Sequence, residues 1–487
     1  HNTRWNPVTH SHAHTDEPLK PAAERRQRKA LRTMVLVLVP IAIWTVVAMI
    51  VMWPGNIDDH IQNDSSTYSV PGLTTPTGTL TSVIDHPCEV GTTGSVPGRE
   101  TMCATGQVTI DEGPEVGTSV EVQFNNAHWQ SGIETGDKVK LMRAPGAEGE
   151  PASYQFADFE RTTPLIFFGV LFVVAVVAVA RFRGLMAIIG LVFAGFVIIQ
   201  FVFPSLVAGA DPTLTGLVGG SAIMFVVLYT AHGFTARTTT ALLGTLFGLG
   251  VSAALGWWAT DWAHLTGVSS EEDYLLAASA PDLKLTSVVI CGVIIAGLGV
   301  LNDVTITQAS AVWELANNGV RDPRRLFVSG MRIGRDHIAS TVYTIAFATG
   351  GASLGVLLLI TVSQQPLGQV VQSELFSAEI LRTVVGTIGL VLAVPLTTAV
   401  GAVAVAVGSS GRTTTLGDDQ DGADDAEDDM SRQRRDEDAT TVDHEPALDA
   451  GQAPPHQGVP TDEDTGLVHL GHSDPLRWQG QEPHRGD

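Results

Sequence analysis

Pro164-Leu165-Ile166-Phe167-Phe168-Gly169-Val170-Leu171-Phe172-Val173-Val174-Ala175-Val176-Val177-Ala178-Val179-Ala180 carries no charge and almost no polarity. After Arg181-Phe182-Arg183 a second apolar run follows, Gly184–Phe203. An α-helix needs about 20 mainly apolar residues to cross a hydrocarbon core, so each run reads as a membrane span. Working outward, the same reading applies to Met34–Trp53, Leu214–Ala231, Thr238–Trp258, Leu285–Val304, Ile338–Val362 and Ile380–Val407. The expected fold is an all-α polytopic membrane protein of about eight transmembrane helices. A small extracytoplasmic β-rich domain is expected between helices 1 and 2.

Composition agrees with that division. The chain has 487 residues, 44% of them hydrophobic, yet a net charge of −23. Apolar spans therefore alternate with acidic aqueous parts. The expected divisions are a basic cytoplasmic arm (1–32), a first helix (33–53), a β-rich domain (54–163), a seven-helix membrane core (164–407) and an acidic tail (408–487). The tail holds 20 Asp/Glu against 6 Arg, a net of −14. Such a segment is expected to stay disordered, and its acidity argues against a nucleic-acid partner. The first span follows Arg25-Arg26-Gln27-Arg28-Lys29, and Val51-Met52-Trp53-Pro54-Gly55 lacks a small-x-small cleavage pattern, so a retained anchor is expected.

Positive charge in short loops orients the spans. Lys20, Arg25, Arg26, Arg28, Lys29 and Arg32 put the amino-terminal arm in the cytoplasm. Arg181 and Arg183, then Arg237, then Arg321, Arg324, Arg325, Arg332 and Arg335 recur at every second connection. The acidic connection Ala259–Lys284 falls outside, and Arg382 at the outer end of the last span is the exception, able to snorkel. Both termini are expected to be cytoplasmic, in a plasma membrane.

Between the first two spans, Gly78–Ile84, Thr105–Ile110, Ser119–Phe124 and Asp137–Leu141 read as short strands separated by turns. A small antiparallel barrel or sandwich is expected, an OB-like barrel being one option. Cys88 and Cys103 can pair there if the segment lies outside the cytoplasm. The third cysteine, Cys291, reads as a small packing residue. His86, His128 and Asp137 match no standard metal spacing, and no metal site is expected.

Glycines crowd the spans, including the GxxxG patterns Gly244–Gly248 and Gly351–Gly355, and read as close helix packing. The sixth span is less ordinary. Its purely apolar run, Val288–Leu301, is too short to cross, so Asn302 and Asp303 must enter the helix. Thr305, Thr307, Gln308 and Glu314 follow on the same helical segment, and Gly334-Arg335-Asp336-His337-Ile338 opens the next span. An ionisable residue at membrane depth needs a partner. The candidate site is therefore Asn302, Asp303, Thr305, Thr307, Gln308, Glu314, Arg335, Asp336 and His337. Asp303 is expected to pair with Arg335, or Asp336 with His337 and Asn302. Such a cluster can bind an ion or relay a proton, since His titrates near neutral pH; the alternative is capping that anchors two helix ends.

No phosphate loop, HExxH or GxSxG motif occurs. No enzymatic activity and no cofactor is expected. Gly299-Val300-Leu301-Asn302-Asp303-Val304-Thr305-Ile306-Thr307-Gln308, with Glu314 and Gly334-Arg335-Asp336-His337-Ile338-Ala339-Ser340, resembles the YibE/F family of bacterial membrane proteins. The resemblance spans roughly Gly78–Val407 and implies a bacterial plasma-membrane protein with a multi-span core. It carries no established activity and assigns no role to these residues. The leading expectation is a secondary transporter or permease for an ion or small solute; the alternative is a membrane scaffold or accessory subunit. The expected partners are the lipid bilayer and either a solute, a second copy of the chain or another membrane protein.

Overall fold

The computed structural model describes residues 21–62, 72–88, 101–146 and 150–409. Most of the amino-terminal arm, with its His10, His12 and His14, and the acidic tail beyond 409 lie outside the described residues. Helix α1 covers Pro21–Val51 and is followed by a 3₁₀ turn, Ile57–His60. That turn is tied to the loop before the sixth expected span: His60 Nδ1 lies 2.8 Å from Asp282 Oδ2, and the Gln62 amide donates to the Ser279 carbonyl at 2.8 Å.

The β-rich domain has five strands, β1 (Thr77–Pro87), β2 (Met102–Ile110), β3 (Ser119–Phe124), β4 (Lys138–Ala144) and β5 (Ser153–Phe159), with a short helix α2 (Asn126–Gln130) between β3 and β4. The sheet order is β3-β2-β1-β4-β5, all antiparallel. β3 also packs against β5, which curls the sheet into a small barrel. That order, with a helix between β3 and β4, is the arrangement of an OB-like barrel. β5 is absent from the sequence expectation. Its alternation, Tyr154 and Phe156 against Gln155 and Ala157, is short, and Asp158 and Glu160 flank Phe159 at its end.

Inward side chains recur at every second position along the strands. They bury Leu80, Val108, Ile110, Val122, Phe124, Val139 and Leu141 in one core. Gly106 is required there, because a Cβ would lie 2.5 Å from Leu80 Cδ1 and 2.8 Å from Phe124 Cε2. Cys88 and Cys103 form a disulfide, with Cα atoms 4.9 Å apart. It joins the end of β1 to β2, where His86 already pairs with Cys103 in the ladder. His86 and His128 stand apart: His86 Nε2 meets Thr105 Oγ1 at 3.0 Å, while His128 sits among Phe124, Phe156 and Phe159. Burial in that aromatic group pushes the His128 pKa down, against the pull of Asp158.

The membrane-type helices are α3 (Thr162–Val197), continued by a π turn (Ile198–Val202) and α4 (Phe203–Val207); α5 (Pro212–His232); α6 (Ala236–Trp262); α8 (Leu285–Asn317); α9 (Pro323–Ala352); α10 (Leu354–Ser363); and α12 (Glu374–Ser409). Short helices α7 (Glu271–Ser279) and α11 (Leu367–Gln372) lie in connections. Among the described residues six helices are long and apolar enough to cross a membrane, or seven if α9 and α10, bent by 64°, make one span. The chain is a mostly helical membrane protein with a β-rich domain.

Eight spans are expected from the sequence, and the difference lies in two places: the expected span Ile338–Val362 falls across the bend between α9 and α10, and two expected spans share one helical stretch. Pro164–Ala180 and Gly184–Phe203 fall in the single 46-residue stretch Thr162–Val207. That stretch is broken at Arg181, whose φ of 52° and ψ of −133° are not helical. A Cβ on Gly184 would sit 2.6 Å from the Val176 carbonyl oxygen. In a straight helix residues eight apart are separated by about 12 Å along the axis, so the chain turns sharply at this point.

α6, α8 and α12 form the centre of the helical part, with α5 and α1 beside them and α9 lying on α8 and α12. Leu228, Leu242, Leu249, Ile294, Leu301 and Leu390 are fully buried. Close approach depends on glycine: at Gly248 a Cβ would meet Leu301 Cδ2 at 2.5 Å and Ala393 Cβ at 3.1 Å. Buried hydroxyls join the same helices, Thr245 and Thr305 at 2.6 Å and Trp313 Nε1 donating to Thr240 Oγ1 at 3.2 Å. Such bonds and small-residue contacts hold helices together where lipid is as apolar as leucine.

Candidate functional site

Helix α9 begins at Asp322, whose carboxylate accepts from the Arg324 and Arg325 amides, with Pro323 in the first turn. This N-cap supplies orphan amides with an acceptor. It starts α9 beside the carboxyl-terminal end of α8. From there α9 runs back along α8, while α12 runs parallel to α8 across the same space. Two contacts fix the register of the three helices. Gln308 of α8 reaches Gly330 of α9 and Thr398 of α12, and Arg382 of α12 lies against Gly292 of α8.

Between these contacts the three helices line a half-open cavity of about 490 Å³. Each helix gives it one face. α8 contributes Ala296, Gly299, Val300 and Asp303; α9 contributes His337, Ser340, Thr341 and Thr344; α12 contributes Glu379, Arg382, Thr383 and Thr387. The spacing within each set is i, i+3, i+4, i+7 or close to it, which places the members on one side of a helix. Asp303 and His337 mark the end toward the α8 carboxyl terminus. Glu379 and Arg382 mark the other, paired at 2.5 Å between Oε2 and Nη1. From Gly292, beneath Arg382, to Asp303 is about 17 Å along α8 at 1.5 Å per residue, so both ends lie within one bilayer thickness.

The sequence-derived candidates divide. Asp303 and His337 line the cavity. Thr305 turns to α6 and Gln308 to the seam with Gly330 and Thr398, so both are packing residues here. Asn302 Oδ1 and His337 Nε2 are buried and without a hydrogen-bond partner. Thr307, Glu314, Arg335 and Asp336 are exposed. Among the described residues Asp303 makes no ion pair with Arg335, nor Asp336 with His337. The reason is helical phase: His337, Ser340, Thr341 and Thr344 face α8 and α12, and Arg335 and Asp336 fall off that face.

Sequence reasoning misses the far end of the cavity. Arg382 reads as an interfacial charge, yet its guanidinium Nε would lie 3.6 Å from a Cβ on Gly292. The Nε itself is buried and unpartnered. The missed signal is the hydroxyl stripe on α9. Ser340, Thr341, Thr344 and Thr349 repeat at helical spacing in a helix that would otherwise be free to be apolar.

A family profile described as YibE/F-like protein matches residues 168–407, a range that holds α8, α9, α12 up to Val407 and every residue of the cavity. No curated protein and no solved structure matches the chain. The glycine-rich run into Asn302-Asp303, the Arg335-Asp336-His337 stretch, which lies inside α9 rather than at the start of a span, and the profile match agree, and the chain belongs to the YibE/F family.

Proposed function

We propose that the chain is a secondary transporter or permease of a bacterial plasma membrane, moving an ion or small solute through the cavity between α8, α9 and α12. The observation that carries this reading is the cavity's lining: ionisable groups at both ends and hydroxyls between, on helices with the length and apolar character of membrane spans. Intramembrane charge is costly and marks substrate or ion pathways in membrane proteins. In this reading the chain crosses the membrane eight times. The break at Arg181 supports two spans in Thr162–Val207, and α9 with α10 makes one bent span. Both termini are then cytoplasmic and the β-rich domain faces outward, as the Arg-rich connections favour.

The test is solute flux in proteoliposomes containing the full chain, over a panel of inorganic ions, amines, organic acids and sugars. Flux that falls to background in Asp303→Asn, with unchanged protein yield and thermal stability, is the expected result. No flux for any member of the panel counts against transport and leaves the assembly of partners through the β domain as the better reading.

A further inference from the structure

We infer that the occupant of the α8–α9–α12 cavity is a small monovalent cation, held at the Asp303 end by the carboxylate and by hydroxyl oxygens of α9. The inference rests on the reading of this cavity as the functional site and names its ligand class. It starts from where the hydroxyl protons go. Thr341 Oγ1 donates to the His337 carbonyl at 2.9 Å, Thr344 Oγ1 to the Ser340 carbonyl at 3.1 Å, and Thr387 Oγ1 to the Thr383 carbonyl at 2.7 Å. A hydroxyl has one proton and two lone pairs. Each of these threonines has committed its proton to its own helix, so it offers the cavity lone pairs alone.

The charged groups point the same way. Asp303 is accessible on the cavity wall and makes no ion pair among the described residues. Arg382, the guanidinium of the lining, is neutralised by Glu379 at 2.5 Å. His337 Nε2, buried without a partner, supplies a further lone pair in one of its neutral tautomers. The Asp303 end is therefore acceptor-rich with a net negative charge, the environment an alkali or ammonium ion needs and an anion avoids. Among the described residues no three His, Cys, Asp or Glu side chains converge on one point. A zinc-type site needs about three such ligands and a calcium site several carboxylate oxygens, whereas a monovalent ion accepts one carboxylate with neutral oxygens.

The experiment is thermal unfolding of the purified full chain in lipid nanodiscs at constant ionic strength. Sodium, potassium, ammonium and choline chlorides are compared, with sodium gluconate as the anion control. The expected result is a midpoint that rises saturably with one of the small cations, does not rise with choline, and is the same for chloride and gluconate. Asp303→Asn and Thr341→Val, at the threonine one turn from His337, should each keep the choline midpoint and raise the half-saturating cation concentration, the former by roughly tenfold or more, the size of losing a charge-assisted contact. Thr341→Val decides the matter if Asp303→Asn fails to fold. Identical midpoints in all four salts, an anion-dependent shift, or unchanged half-saturation in both variants would overturn the inference. Cation-specific stabilisation without flux would remove the transport reading and leave the ion site; flux without such stabilisation would do the reverse.

Discussion

Gln308 Nε2 donates to Thr398 Oγ1 at 2.7 Å, and Thr398 passes its own proton to the Val394 carbonyl at 2.7 Å. The same nitrogen reaches the Gly330 carbonyl at 2.9 Å. One amide thus joins three helices at the base of the cavity. Interhelical hydrogen bonds in membranes are worth about 0.6 kcal/mol on average and up to about 1.7 kcal/mol. Gln308→Met, which keeps volume and removes the donor, should destabilise the fold by about 1–2 kcal/mol on that scale. Unfolding in a denaturing detergent series checks this. A wild-type midpoint would mean the seam is held by packing alone.

The two GxxxG patterns should behave differently. A Cβ on Gly244 would collide with Thr397, and one on Gly248 with Leu301. A Cβ on Gly351 or Gly355 meets nothing within 4 Å. Gly244→Ala should therefore cost about 1–3 kcal/mol through overpacking, with Gly351→Ala close to neutral. Thermal melts of the two variants side by side give the answer. Equal losses would show that a second helix covers Gly351 in the membrane.

The contrast shows what the sequence can carry. The apolar runs are visible because a span needs uninterrupted length, and the chain meets that need nearly everywhere. Asn302 and Asp303 stand out because they interrupt it. Which face each polar residue takes is not local: Thr305 answers to Thr245 and Gln308 to Thr398, sixty and ninety positions away. Asp303 and Arg335 look like partners by charge, yet α9 is rotated by the need of Gly330 and Gly334 to meet Val312, Val394 and Gln308. Packing thereby sets the phase, and the phase separates the charges. Glu379 and Arg382 join the cavity only because α12 passes close to Gly292, a relation no spacing encodes.

In the β domain, Glu115 takes a forked pair of hydrogen bonds from Arg143, Nε at 2.9 Å and Nη2 at 2.8 Å, and one from the Tyr154 hydroxyl. The Arg143 hydrogen bonds hold the Glu115 carboxyl below its ordinary range. A carboxyl depressed in the folded state adds stability that is full above its unfolded value, about 4.3, and disappears as pH falls through the folded value. Asp158, lowered by Arg161, and Glu160, lowered by Thr162, act in the same direction. The unfolding midpoint of the β domain should fall on acidification from about pH 5 to about pH 3, and Glu115→Gln should make that fall shallower. Near-ultraviolet circular dichroism of the full chain follows it. An equal slope in wild type and variant would remove Glu115 from the account.

The sharp turn at Arg181 favours two spans in Thr162–Val207. As a straight helix, Thr162–Val207 would be about 69 Å long at 1.5 Å per residue, more than twice the roughly 30 Å of a hydrocarbon core. Arg181 has a left-handed φ, and Arg181, Phe182 and Arg183 are exposed while Gly184 packs against Val176. Two guanidiniums at mid-membrane would each be costly; at a hairpin tip they lie in water. A cysteine placed at Arg183 should react with a membrane-impermeant maleimide in inverted vesicles and resist it in intact cells, since paired arginines favour the cytoplasmic face. Cysteines at Gly169 and Gly190, in the middle of the two arms, should resist it from both sides. A protected Arg183→Cys with an accessible Gly169→Cys would place the water boundary elsewhere and reduce the count of spans.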